Sequence, residues 1–222
     1  MIDHLLKNIA PHPCYGCAKL GQILCDNCKY DIVSEPFLAC VACGKGIRGR
    51  HGVCGSCNVS YEQAWCVSSR KDSVQLLIDD FKFNNARASY IPLADLLHMH
   101  LPILPENTHV VPIPTVRSHV RQRGYDHSVL VAKRFAKLRK LPLNTSLERI
   151  TTTMQRGAKA KQRKDQAKQA FACYRQLDAD AVYLIIDDVV TTGATMQYAA
   201  ETLIKAGASK VWIATVSRQP LD

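Results

Sequence analysis

Val182-Tyr-Leu-Ile-Ile-Asp-Asp-Val-Val-Thr-Thr-Gly-Ala-Thr195 decides how the rest of this 222-residue chain is read. Its continuous apolar stretch predicts a strand buried on both faces, as in a parallel sheet. The stretch ends in two carboxylates, Asp187 and Asp188, followed by Val189, Val190 and a small, hydroxyl-rich turn. Met196–Ala206 predicts a helix, so Thr191, Thr192, Gly193, Ala194 and Thr195 fall between a strand end and a helix start. Free N–H groups and the positive end of the helix dipole make such a turn an anion site. The threonines add hydroxyl donors, and Gly193 is expected to let the backbone approach a phosphate closely. Acids just ahead of the cradle can accept hydrogen bonds from vicinal sugar hydroxyls, a combination that suits a ribose 5-phosphate. A plain helix cap needs neither the two acids nor the second threonine.

The run resembles the 5-phosphoribosyl-1-pyrophosphate (PRPP) signature of type I phosphoribosyltransferases, two acids followed by Thr-Thr-Gly-x-Thr. That resemblance implies PRPP binding by residues 187–195, with Asp187 and Asp188 as the catalytic candidates and Mg2+ accompanying the ligand.

Nine of the ten cysteines fall in residues 1–66, and eight of them form Cys-x-x-Cys pairs: Cys14/Cys17, Cys25/Cys28, Cys40/Cys43 and Cys54/Cys57. Two such knuckles supply four thiolates to a tetrahedral zinc site, so four pairs imply two structural zinc ions. Sequential pairing puts the first four cysteines on one ion and the last four on the other; spacing alone leaves interleaved pairing open. Disulfides suit exported proteins, and Met1 to His12 lacks the long apolar core of a signal peptide, so a cytoplasmic protein with bound metal is expected. The cysteine-rich part has too little apolar sequence for a core of its own and must be stabilised by metal. Cys66 and Cys173 read as small core residues.

Two units are expected: a double zinc ribbon over residues 1–60 and a phosphoribosyltransferase-like α/β domain over 61–222. In the latter, helices are predicted at Ser73–Phe83, Ile91–Leu101, Tyr125–Lys140 and, short and basic, Arg163–Phe171. Strands are predicted at Thr108–Ile113, Leu143–Ile150, Val182–Val190 and Lys210–Ser217. This alternation argues for a parallel sheet with helices on both faces. No stretch approaches the ~20 apolar residues of a membrane span.

Charge is unevenly distributed. Residues 1–66 hold six Lys/Arg and five Asp/Glu, whereas Pro114–Lys140 and Arg149–Arg175 hold eight basic residues and one acid each. Those two segments carry +14 in a chain whose net charge is +10, which favours contact with a polyanion. Lys133, Arg134, Lys137, Arg139 and Lys140 read instead as the solvated face of an apolar-striped helix. Arg117, Arg121 and Arg123 are expected in a loop after the strand that ends at Pro112-Ile-Pro114. Guanidinium groups there can fork onto a diphosphate.

The whole chain resembles the ComF family, phosphoribosyltransferase-like proteins with an N-terminal zinc-ribbon region known from bacterial competence. The carriers are the cysteine pairs, Phe81-Lys82-Phe83, Val111-Pro-Ile-Pro114, Arg121-x-Arg-Gly-Tyr125, Gln155, Arg163, Ala170-Phe171 and the PRPP signature. Two departures stand out. Where the family has Arg-Gly-Phe-Asn-Gln, this chain has Arg123-Gly-Tyr-Asp-His127, with Asp126 adding negative charge beside the presumed pyrophosphate site, and Ala158 stands where the family favours leucine. The resemblance implies a role in uptake or integration of transforming DNA. Arg149–Phe171 corresponds in order to the lid that phosphoribosyltransferases close over substrate, and Lys159, Lys161, Arg163 and Lys164 suit either a departing pyrophosphate or the backbone of single-stranded DNA. Three readings follow. The first is a competence factor that binds PRPP, or a related phosphoribosyl ligand, and single-stranded DNA. The second is an active phosphoribosyltransferase with an unknown acceptor. The third is an adaptor whose ribbons dock a helicase or recombination protein. The short stretch after Ser217 leaves no elaborate base-binding hood, which favours the first.

Metal analysis of the purified protein should find about two zinc ions per chain. One ion or none, with disulfides in the native protein, would remove the two-ribbon reading.

Overall fold

The computed structural model describes residues 12–47, 52–150 and 170–220. Four parallel strands form the central sheet: β1 (Gln63–Ser69), β2 (Thr108–Pro112), β5 (Val182–Val190) and β6 (Lys210–Arg218), in the order β1-β6-β5-β2. β5 and β6 are central, which is why the former reads as one unbroken apolar run: Val182 to Ile186 are all buried. A second, antiparallel pair joins β3 (Leu147–Arg149) to β4 (Phe171–Cys173), with Arg149 opposite Phe171. The predicted lid is thus bracketed by a two-stranded ribbon. Lys159, Lys161, Arg163, Lys164 and Gln155 lie outside the described residues.

Side chains alternate across β5, and each set meets its own layer. Leu184 and Ile186 pack with α2 (Asp72–Phe83), α3 (Tyr90–His100) and α5 (His127–Arg139). Tyr183 and Ile185 pack with α6 (Ala194–Lys205) and with Leu147 and Phe171 of the small ribbon. Helices therefore cover both faces, as the sequence predicts.

Each cysteine cluster joins a different layer. Cys14 and Leu24 belong to the apolar cluster of α2, α3 and α5, and α1 (Asp26–Ser34) begins directly after Cys25. Val41 belongs to the cluster on the α6 side. The two knuckles repeat each other: Cys14 donates its N–H to Lys19 and Cys40 donates to Lys45, both at 2.8 Å. Bridges Pro13–Leu20 and Ala39–Gly46 close them.

Four local expectations differ from the structure. Arg117–Arg123 is a short helix, α4, and not a loop; Gly124 ends it in the left-handed conformation at φ 76° and donates to the Val120 carbonyl at 2.8 Å. Only Leu147–Arg149 of the predicted Leu143–Ile150 strand is a strand, although Leu143 makes one parallel bridge to Val110. Phe171 opens β4, where a helix was expected to end, because it pairs with Arg149. β1 and α1 are elements the sequence reading did not anticipate. Cys66 is buried on β1 as expected, whereas Cys173 is only half-buried on β4.

Phe81 links the core to the site. It is fully buried, its ring stacks on Tyr125 at 5.3 Å, and His127 meets it edge-on at 6.2 Å. Phe81→Ala should lower the unfolding free energy by about 3–5 kcal/mol in urea titrations while leaving zinc content unchanged. A loss under 1 kcal/mol would show that this contact is dispensable.

Candidate functional site at the end of the central strands

Asp187 and Asp188 are neighbours near the end of β5, yet their surroundings differ sharply. Asp188 is 1% exposed and turns toward α2 and α5. Its Oδ1 accepts from the Lys82 ammonium at 2.9 Å, and its Oδ2 lies 3.7 Å from His127 Nε2 with no hydrogen-bond partner among the described residues. Asp187 is less buried. Its Oδ1 accepts from the Asp188 N–H at 2.9 Å and from Ser128 Oγ at 3.3 Å.

The electrostatics follow from that asymmetry. Burial, and then the negative charge of Asp188, push the Asp187 carboxyl up to about 8. Burial pushes the Asp188 carboxyl up as well, but the Lys82 ammonium outweighs it and holds this group well below the usual carboxylate range. Burial also lowers His127, against the pull of Asp188, so its ring is neutral. Arg123 Nη1 lies 3.0 Å from His127 Nδ1, and a guanidinium only donates. The imidazole proton therefore sits on Nε2, facing Asp188. Arg123 thus orients His127, whose Nε2–H faces Asp188 across 3.7 Å, while Lys82 meets the same carboxylate from the other side.

His127 Nε2 and oxygens of Asp187 and Asp188 lie within 4.8 Å of one another, close enough to share an ion. The fixed tautomer argues against the imidazole as a ligand, since metal-bound histidines offer a bare nitrogen and donate from the other one. Hard-cation donors here reduce to carboxylate oxygens, which fit Mg2+.

Beyond the acids, Thr191, Thr192, Ala194 and Thr195 are exposed. Gly193 stands at the N-cap of α6 with φ 75°, and no side chain caps the helix. Thr192 Oγ1 takes only the Ala194 N–H, at 3.4 Å, and leaves the other first-turn amides for an anion. The glycine has a reason besides the one expected. A Cβ at Gly193 would lie 3.0 Å from the Ala42 carbonyl oxygen, inside the Cys40–Cys43 knuckle, so the backbone here closely approaches the second ribbon.

The three predicted arginines separate. Arg117 and Arg121 are exposed on α4, and half-buried Arg123 reaches inward, over the Phe83 ring and onto His127. Asp126 does not face the arginines with a free charge. It caps α5 by accepting from Val129 N–H at 3.2 Å and from Thr115 Oγ1 at 2.8 Å. On α5 and at its C-cap, Lys133, Lys137 and Lys140 are exposed, but Arg134 pairs with Asp95 at 2.7 Å and Arg139 donates to the carbonyls of His98, Leu101 and Pro102. The solvated basic face is smaller than the sequence implies. Lys82, Ser128 and Arg149 were not assigned to the site from sequence. Lys82 lies next to the buried Phe81, and that spacing was the available signal.

The eight cysteines form two clusters, each with sulfur atoms mutually within 4.8 Å: Cys14, Cys17, Cys25, Cys28 and Cys40, Cys43, Cys54, Cys57. Sequential pairing is therefore the arrangement. Separations of 3.7 Å (Cys17–Cys25) and 3.6 Å (Cys43–Cys54) match the roughly 3.8 Å expected of tetrahedral zinc with 2.3 Å Zn–S bonds. N–H groups of Gly16 and Cys25 point at the Cys14 sulfur, each at 3.4 Å, a contact that favours thiolate.

Residues 129–221 match the phosphoribosyl transferase domain family. Over 88% of its length the chain is 28% identical to competence protein F of Haemophilus influenzae, spanning 90% of that protein. This similarity supports the resemblance to the ComF family. The chain is also 24% identical to the DNA utilization protein YhgH of Salmonella typhi, over 86% of its own length and 94% of the other's. Among solved structures, an APRTase from Giardia lamblia complexed with 9-deazaadenine is 19% identical, with a TM-score of 0.41 over 66% of this chain and 72% of that one. The chain has the phosphoribosyltransferase-type α/β fold, a parallel sheet with helices, and cysteine clusters that fit zinc ribbons.

The raised Asp187 carboxyl has a consequence for stability. The folded protein holds that proton more tightly than the unfolded chain, where an aspartate titrates near 3.9. The contribution is fully present below about pH 4 and is lost as the pH rises toward about 8. Asp187→Asn cannot ionise, so its Tm should fall less than that of the wild type between pH 5 and 8.5. Parallel Tm profiles would contradict the assignment.

Proposed function

We propose that the chain is a competence-type factor that binds PRPP, or a related phosphoribosyl ligand, and single-stranded DNA, in keeping with its homology to competence and DNA utilization proteins. The observation that carries the ligand half is the uncapped N-terminus of α6, approached by the exposed threonines and adjoining the Asp187 carboxylate. A 5-phosphate fits the first-turn amides and hydroxyls. Asp187 accepts from the ribose diol, while Asp188 acts through its pairing with Lys82 and His127 rather than as a free acceptor. The diphosphate faces the arginines of α4, and Mg2+ would arrive with it, held by carboxylate and phosphate oxygens. The ribbons over residues 1–60 and the domain over 61–222 make the two working units, with the ribbons available to a helicase or recombination protein. Among the described residues no helix is long and apolar enough to cross a membrane. The proposed handling of DNA suits a cytoplasmic protein.

DNA contact falls to exposed Arg117, Arg121, Lys133, Lys137 and Lys140, together with the basic segment that includes Lys159, Lys161, Arg163 and Lys164. Such binding is dominated by counterion release and weakens steeply with salt.

Calorimetric titration with PRPP, with and without Mg2+, tests the ligand half. Asp187→Ala should weaken PRPP at least tenfold, about 1.4 kcal/mol. Asp188→Ala is the poorer probe because it strands the Lys82 charge, and Gly193→Val is confounded by the ribbon contact. Unchanged affinity in the folded Asp187→Ala protein would remove the ribose assignment. Pyrophosphate release in the presence of candidate bases would replace the non-catalytic reading with that of an active phosphoribosyltransferase.

A further inference from the structure

The second cysteine cluster is built against the loop that precedes α6. Three ties hold that loop at its entry, apex and exit. At the entry, Arg218 is 2% exposed, lies in register with Val190, and donates from Nη1 to the Val41 carbonyl. Gln219 N–H adds a bond to the Val190 carbonyl at 2.8 Å. At the apex, Gly193 abuts Ala42, whose carbonyl oxygen and Cα would lie 3.0 and 3.2 Å from any Cβ placed there. At the exit, Ser60 N–H donates to Gln197 Oε1 at 3.0 Å, and Gln197 Nε2 returns a bond to Ser60 Oγ at 2.8 Å. Val41 and Ala42 lie between two of the cysteines, and Ser60 is three residues beyond Cys57. The first cluster has no part in this. Its residues tie to the other layer, through Tyr15 to Asp80 and through Lys29 to Asp95 at 3.1 Å.

We propose that the Cys40, Cys43, Cys54, Cys57 cluster is a positioning element of the phosphate-binding loop, so that zinc there, and not at the first cluster, sets how tightly a phosphate ester binds at the N-terminus of α6. The inference rests on the phosphate-loop reading given above. A cysteine knuckle of this size is ordered by its metal. With zinc bound, Val41, Ala42 and Ser60 are fixed, and the loop meets its ligand already shaped. Without it the ligand must order both loop and knuckle, and that cost comes out of affinity. Coupling of this kind is reciprocal: whatever factor zinc adds to ligand affinity, the ligand adds to zinc affinity at the same cluster. A zinc site that merely stabilises its own ribbon would show no such exchange.

The experiment uses the full-length, zinc-loaded protein, with PRPP as the probe and a chromophoric chelator competing for zinc at equilibrium. Saturating PRPP should tighten one of the two zinc sites about tenfold and leave the other unmoved. Cys17→Ser weakens the first cluster and so identifies which site responds. Gln197→Ala keeps all eight cysteines but cuts the exit tie, and should reduce both the PRPP affinity and the ligand-induced gain in zinc affinity. PRPP binding with both zinc affinities unmoved would overturn the coupling alone, as would a response confined to the first cluster. Failure of the zinc-loaded protein to bind PRPP at all would overturn the phosphate-loop reading and the coupling with it.

Discussion

A buried carboxylate has to be paired, and the way Asp188 is paired organises this molecule. An unpaired charge at a site 1% exposed would cost several kcal/mol, so the fold must bring a cation to it. Lys82 comes from the end of α2 and His127 from the start of α5, and Arg123 at the end of α4 fixes the imidazole proton toward the acid. Three helices are thereby held to the tip of one strand. Phe81 and Tyr125, neighbours in sequence of two members of this set, stack beneath it, and Tyr125 Oη donates to the Phe81 carbonyl. The polar network and the apolar packing are one construction, and neither is stable in this form without the other.

That pairing also divides the labour of the two acids. Burial, and then the negative charge of the Lys82-paired Asp188, push the Asp187 carboxyl up. Asp187 is left beside the open turn, with an ionisation state sensitive to any cation or hydroxyl that arrives. The departure from the ComF pattern at His127 belongs to this network. A neutral imidazole accepting from an arginine and facing a carboxylate joins the arginine helix to the acid pair.

The ribbons extend the core instead of hanging from it. Each contributes a few apolar side chains, Leu24 on one layer and Val41 on the other, and each relies on four cysteines for what a core would otherwise supply. Their placement on opposite faces gives them different neighbours. The first adjoins α2 and α3, and the second adjoins the turn before α6.

By itself the sequence determined the elements whose causes are local or compositional. Val182–Val190 is apolar on both sides because β5 is central, so its burial and parallel pairing could be read directly. The Cys-x-x-Cys spacing marked the cysteines that cluster, since a knuckle is closed within four residues. The Thr-Thr-Gly turn declared an uncapped helix start. Tertiary structure alone decided which cysteine pairs meet, because the loop between knuckles does not encode where the chain returns. It decided that Arg117–Arg123 is helical, a basic, weakly patterned stretch that buries no residue and is closed by a left-handed Gly124. It removed Arg134 and Arg139 from the solvated face by giving them carboxylate and carbonyl partners some 40 residues away in sequence. It also gave Gly193 a second reason: the residue that crowds it is Ala42, 151 positions earlier, and nothing local to either segment records that they touch.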